Sequence, residues 1–184
     1  MKGNDRLPSG VHDDYKAEAQ RLGSQLRSRS GDTVRAVLTD HAQAAARARD
    51  DNHVGTEHIL LAVYLQGAND ALTVLESKGI SKDLFESVLD DEPGPSPNGI
   101  IPYTVRAMMI GGLAVAEAER FGADAVNEVH LLLGAVAESR RWERQHAWGP
   151  HHLGAAAEKA STSLGALEQE ALATLGPTMP DTQK

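Results

Sequence analysis

At 184 residues the chain suits one domain or two small fused halves, and it is long enough to bury a core of its own. Hydrophobic residues make up 41% but aromatics only 4%, so the core must come from Ala, Leu, Val and Ile, which favours close-packed helices over a sheet. A net charge of −8 without a basic stripe argues against nucleic acid, and the absence of cysteine excludes disulfides, thiolate metal sites and thiol catalysis.

No apolar run approaches the roughly 18 residues that span a bilayer, and the N-terminus lacks an apolar signal core. The expectation is a cytoplasmic protein with neither membrane nor nucleic-acid partners. Residues 1–12 are polar with Gly and Pro. Over residues 13–29, Tyr15, Ala19, Leu22 and Leu26 share one face at helical spacing, which predicts an added amphipathic helix. That helix either packs on the domain or presents its face to a partner, and residues 1–31 form one tail-plus-helix segment.

A first unit spans residues 32–90. Asp32 is the expected cap of a helix running to about residue 50, with Val34, Val37, Leu38, His41, Ala45 and Ala48 inward. Gly55-Thr56 opens the next helix, which ends near Gly67. A third covers residues 69–78 and stops at Gly79, a left-handed C-cap. Ser81 caps a fourth whose apolar residues are Leu84, Phe85, Val88 and Leu89. Three prolines and two glycines between Asp90 and Gly99 mark a linker, taken as residues 91–100.

The second unit, residues 101–175, is predicted to hold helices near 104–121, 127–144 and 155–175, before a polar tail at 176–184. Gly111-Gly112 should weaken the first of these by roughly 1 kcal/mol per glycine unless close packing requires them. An insertion at residues 140–154 carries both tryptophans and three of the eight histidines.

The two units are copies of each other. His53-Val54-Gly55-Thr56-Glu57-His58-Ile59-Leu60-Leu61 returns 72 positions later as Ala125-Val126-Asn127-Glu128-Val129-His130-Leu131-Leu132-Leu133. The same offset pairs Val37 with Met109, Leu38 with Ile110, Ala42 with Ala114 and Ala46 with Ala118. Two copies at so long a period indicate a duplicated small domain rather than a solenoid.

This duplicated pattern resembles the amino-terminal domain of the Clp-type AAA+ unfoldases, the double Clp-N repeat. The residues that carry the likeness are Ala46-Arg47, the loop Asn52-His53-Val54-Gly55, the helix start Thr56-Glu57-His58-Ile59-Leu60-Leu61 and the stretch Leu75-Glu76-Ser77-Lys78-Gly79-Ile80-Ser81. Ile101-Pro102-Tyr103-Thr104-Val105-Arg106-Ala107 looks like the opening of the family's second repeat. The resemblance covers roughly residues 32–175 and implies an all-α fold: two pseudo-symmetric four-helix repeats, here with the extra N-terminal helix. No G-x-x-x-x-G-K-[ST] stretch is present, so the likeness is to the domain without its ATPase modules.

Candidate site residues follow from both sources. Glu57 lies in a first helical turn, where the dipole and free N–H groups favour an ionised carboxylate able to take a guanidinium. The resemblance implies that Glu57, beside Thr56, helps recognise phosphoarginine; a plain helix-stabilising charge is the alternative. Val129 holds the matching place in the second copy, and Glu128 is shifted by one residue, or about 100° of helix. His58 and His130 recur as a pair, which fits acid–base or metal chemistry, but also two semi-buried histidines bonding the preceding loop.

By the resemblance Tyr103 replaces a peptide-patch aromatic and Met108 a common lysine; they form either an adaptable patch or part of the core. Trp142 and Trp148, with His146, His151 and His152, mark a small-molecule pocket, an altered protein-binding loop or a packed insertion. Their loop-like spacing assigns no metal, and no cofactor is implied. The resulting expectation is a non-catalytic binding module, an adaptor or decoy in a Clp protease system. Its ligands would be Clp unfoldase–protease components or substrates, phosphoarginine segments, or small and cyclic peptides. The alternative is the same fold reused as a small-molecule binder or acid–base enzyme, with Glu57, His58, Glu128 and His130 at a pocket between repeats.

Overall fold

The computed structural model describes residues 21, 24–26, 28–89, 99–145 and 151–176. Among these the elements are α1 (Asp32–Ala36), a π-helical turn (Val37–His41), α2 (Ala42–Ala48), α3 (Thr56–Leu65), α4 (Asp70–Ser77) and α5 (Lys82–Glu86) in the first repeat. The second repeat holds α6 (Val105–Arg120), α7 (Glu128–Gln145), α8 (His152–Lys159) and α9 (Leu164–Leu175). No strand occurs among the described residues, so the architecture is all-α as the composition demands.

Short polar side chains start these helices by accepting an otherwise unpaired backbone N–H. Asn69 caps α4 through Leu72 N–H, Ser81 caps α5 through Leu84 N–H, Thr104 caps α6 through Ala107 N–H, and Ser163 caps α9 through Ala166 N–H. The helix ends repeat too. Asp50 and Gly122, 72 residues apart, take positive φ of 57° and 65° after α2 and α6. Gly79 and Ser161 do the same after α4 and α8, at 76° and 56°, but these are 82 residues apart. The ten-residue difference is the insertion, which lengthens α7 and its connection to α8.

Each copy is tied to the other at its helix starts. Val54 N–H donates to the Pro102 carbonyl at 2.8 Å, and Thr104 N–H donates back to Val54 at 2.9 Å. In the mirrored position Val126 N–H donates to the Arg29 carbonyl at 2.9 Å. The bridges Val54–Tyr103 and Ser30–Val126 are therefore exchanged between repeats, as a pseudo-two-fold requires.

α3 and α7 form the centre of the core. Residues 58–63 of α3 are all buried, and so are Val129, Leu131, Leu132, Leu133 and Val136 of α7. A helix apolar on nearly every side belongs in the middle of a bundle. α6 lies hard against α7, because Gly134 lets the backbones approach. A Cβ there would stand 2.5 Å from the Ile110 carbonyl oxygen. α9 lies on α7 and α4, held at its rim by Arg140–Glu168 and Lys78–Glu170 ion pairs of 2.6 Å each.

The helical residues before α1 dock through Leu26, which is buried over Gly111; a Cβ at Gly111 would meet Leu26 Cδ2 at 2.3 Å. Close packing is thus the reason for this glycine inside α6. Tyr15, Ala19, Leu22, His146 and Trp148 lie outside the described residues.

Three expectations need correction. Asp32 does not cap α1: Gly31 is the N-cap, and Asp32 sits exposed in the first turn. The inward face beyond Val37 is Ala42, Gln43, Ala45 and Ala46, while Ala48 is exposed, because the π-helical turn shifts the helical phase. The single helix expected at 155–175 is two, α8 and α9, broken where Ser161 adopts its left-handed conformation and Ser163 starts a new cap.

Candidate functional site

The loop before α3 turns on His58, which has no solvent exposure. Its Nδ1 accepts the Gly55 N–H at 2.9 Å, so the ring proton lies on Nε2, 2.9 Å from Asp51 Oδ2. Gly55 has no side chain, and the Glu57 carboxylate folds back into that space: a Cβ on Gly55 would stand 2.0 Å from Glu57 Oε1. The carboxylate thereby covers the N-terminus of α3, where the helix dipole favours it.

The second repeat solves the same problem differently. His130 Nδ1 accepts the Asn127 N–H at 3.1 Å, and Asn127 Oδ1 accepts the His130 N–H at 3.0 Å. This reciprocal cap leaves no need for a glutamate, and Val129 is core, only 1% exposed. Ala123 stands where Asp51 would be, so His130 Nε2 is buried with no hydrogen-bond partner among the described residues.

Around Glu57 the second repeat adds side chains from α8. His152 Nδ1 stands 3.6 Å from Glu57 Oε2, an ion-pair distance rather than a hydrogen bond. His151 Nε2 is 3.1 Å from Thr56 Oγ1, which donates to Glu57 Oε2 at 3.3 Å. His53 Nε2 lies 4.0 Å from Glu57 Oε1 at the outer edge. The Glu57 side chain is only 15% exposed in this setting.

Burial alone would raise the Glu57 carboxyl, but the contact of His152, together with its own backbone N–H, holds it well below the usual carboxylate range. Burial, reinforced by the Arg106 and His152 charges and opposed by Glu57, pushes His151 down to about 3, so its ring is neutral at pH 7. Arg106 stacks 3.8 Å over the half-buried Trp142 ring and is clamped by Glu138 through two bonds of 2.5 and 2.8 Å. The Trp142 and His151 rings are 6.1 Å apart.

The profile of the Clp repeat (R) N-terminal domain matches residues 29–145. The chain belongs to the Clp-N repeat family. It is 34% identical over 89 residues to chaperone protein ClpB of Oceanobacillus iheyensis, which is 47% of this chain and 11% of that protein. It is 31% identical over 99 residues to the negative regulator of genetic competence ClpC/MecB of Bacillus subtilis, 53% of this chain and 12% of that protein. The matched stretch therefore spans about a ninth of those relatives.

Its fold is that of the ClpD N-terminal domain from Arabidopsis thaliana, with a TM-score of 0.61, 14% identity, and 82% of this chain and 96% of that chain covered. The Hsp104 N-terminal domain from Candida albicans matches with a TM-score of 0.58 and 13% identity over 78% of this chain and 89% of that one.

Within this Clp-N fold, the residues singled out from the sequence separate into groups. Thr56, Glu57 and His58 are together, joined by Trp142 through His151. Glu128 is not with them. Its Oε1 takes the Gln66 side chain at 3.2 Å, beyond the opposite end of α3, nine residues or about 14 Å along the helix from Glu57. Glu57, His58, Glu128 and His130 thus do not converge on one pocket. A carboxyl held low is also a weak base and no acid at neutral pH. Tyr103 is half-buried, its hydroxyl donating to the Leu38 carbonyl, and burial raises its phenol. Met108 is half-buried on α6.

Sequence reading did not connect His151 and His152 with Glu57, although the three form a compact group with ligating atoms within 4.8 Å. No spacing rule could have found them, since the contacts cross 95 residues. Among the described residues no helix is long and apolar enough to cross a membrane.

Proposed function

We propose that the chain is a non-catalytic binding module of the cytoplasm, an adaptor or decoy that engages components or substrates of a Clp unfoldase–protease system. The observation that carries this reading is the Clp-N match over residues 29–145, the first repeat and the first two helices of the second. The names of its relatives support it, among them an ATP-dependent Clp protease ATP-binding subunit of Guillardia theta, 34% identical over 100 residues.

The chemistry of the first helix start supports a ligand with a cationic or phosphorylated arginine. Glu57 is ionised, aligned with the α3 dipole and held by the Thr56 hydroxyl, the state in which a carboxylate takes a guanidinium. His151 and His152 cover it, so a peptide reaches Glu57 by moving the start of α8. Tyr103 and Met108, half-buried on the opening of the second repeat, offer a separate contact for small or cyclic peptides.

Capture from lysate of the source organism tests the reading, with tagged full-length chain, chelator present and mass-spectrometric identification. Enrichment of Clp subunits or arginine-phosphorylated proteins, lost in Glu57→Ala, is the expected result. A capture without either class, from wild type that is folded by circular dichroism, overturns it.

A further inference from the structure

We infer that Glu57, His151 and His152 form a binding site for a divalent metal ion of the zinc type, joining the start of α3 in the first repeat to the start of α8 in the second. One nitrogen from each imidazole and one Glu57 oxygen lie within 4.8 Å of one another. Bonds of about 2.0–2.2 Å to a tetrahedral ion place ligand atoms roughly 3.3–3.5 Å apart. His152 Nδ1 and Glu57 Oε2, at 3.6 Å, are already near that spacing. Two imidazoles with one carboxylate suit zinc, and this cysteine-free chain offers no thiolate in competition.

A second observation is independent of that geometry. Nδ1 of His151 and Nδ1 of His152 are both buried with no hydrogen-bond partner among the described residues. Buried polar atoms are normally paired, so two imidazole nitrogens without a hydrogen bond, one of them 3.6 Å from Glu57 Oε2, call for an occupant. The surrounding bonds prepare them for one. Thr56 gives its hydroxyl proton to Glu57 Oε2, so it accepts from His151 Nε2–H, and the His151 lone pair is left on Nδ1. Hydrogen bonds of this kind orient metal-binding histidines. The nearby Arg106 guanidinium is held by its two bonds to Glu138. Three protein ligands leave a fourth position for water or an anionic group of a bound partner.

Among the described residues nothing comparable exists in the second repeat, where Val129 replaces Glu57 and Asn127 caps the helix itself. The site is a property of the insertion, which brings the two histidines over the first helix start.

Zinc chloride titrated calorimetrically into metal-stripped full-length chain should give one bound ion per chain and a raised Tm. His152→Ala and Glu57→Gln should each weaken zinc binding by roughly tenfold or more while retaining the helical circular dichroism spectrum. Cobalt(II) added to wild type gives a separate readout: visible d–d bands of a four-coordinate nitrogen–oxygen site, displaced by zinc. If a variant fails to fold, the cobalt spectrum decides. Absence of both zinc heat and cobalt bands at about a hundredfold excess of metal overturns the inference. So does zinc affinity unchanged in both variants, which puts the ion on other histidines. Neither result touches the binding-module reading, whose capture is made in chelator.

Discussion

The starts of α3 and α7 are two solutions to one problem, built at the same place in two copies of one fold. Each must satisfy free N–H groups and hold a histidine against the preceding loop. In α7 the work is local: Asn127 and His130 cap each other, Val129 is core, and Glu128 turns to Gln66 instead of the histidine. In α3 a glycine replaces the asparagine, a glutamate fills the vacated space, and an aspartate anchors the histidine. That second arrangement buries a carboxylate at the surface of the domain, which is what gives the first repeat chemistry the second lacks. The histidine's structural task is the same in both copies, while only the first of the two helix starts holds a buried carboxylate against it.

The largest expected effect concerns how the central helices meet. Gly134→Ala pushes a methyl into the Ile110 carbonyl and should cost about 1–3 kcal/mol in urea unfolding. Its counterpart Ala62 is a fully buried alanine, so Ala62→Gly should cost only about 1 kcal/mol; equal losses would show that the repeats pack alike.

The histidine anchor comes next. Asp51→Ala strands a buried N–H and should cost about 1–3 kcal/mol. Ala123→Asp offers His130 Nε2 the missing partner and should stabilise by about 0.5–1.5 kcal/mol. The backbones match there, since Asp51 N–H bonds Ala46 at 3.0 Å and Ala123 N–H bonds Ala118 at 2.8 Å.

Gly55→Ala should displace the Glu57 carboxylate from the helix start at a cost of about 1 kcal/mol. Carbon-detected NMR titration would then show Glu57 titrating nearer an ordinary glutamate; an unmoved midpoint would mean that the histidines alone hold it low.

The smallest effect is on pH. Burial lowers the His130 pKa, so below the unfolded value of about 6.5 the unfolded chain takes up a proton that the native ring resists. Stability from this source is present above that pH and is lost as the pH falls below it. His151, also lowered, acts in the same sense. Denaturant midpoints between pH 7 and pH 5 should fall less in His130→Gln than in wild type. Equal slopes would assign the loss to His151.

The sequence was most legible where one residue settles a local bond. Ser81 and Gly79 announced a cap and a left-handed turn because their chemistry acts within three residues. Ser161 adopts the same turn as Gly79 without glycine's signature, so α8 and α9 looked continuous. Gly111 could be flagged as costly but not explained, since its reason, Leu26, lies 85 residues away.

The sequence by itself determined the helical class, the duplication and the family likeness, and it placed Glu57 and His58 at a helix start, because apolar periodicity and caps are short-range properties. Only tertiary structure decided that Glu128 faces away from Glu57, that α7 continues through the first part of the insertion, and that His151 and His152 close over Glu57. Those contacts depend on how one repeat turns against the other. That rotation is fixed by the crossed backbone bonds at Val54 and Val126 and by the close approach at Gly134, which no local pattern encodes.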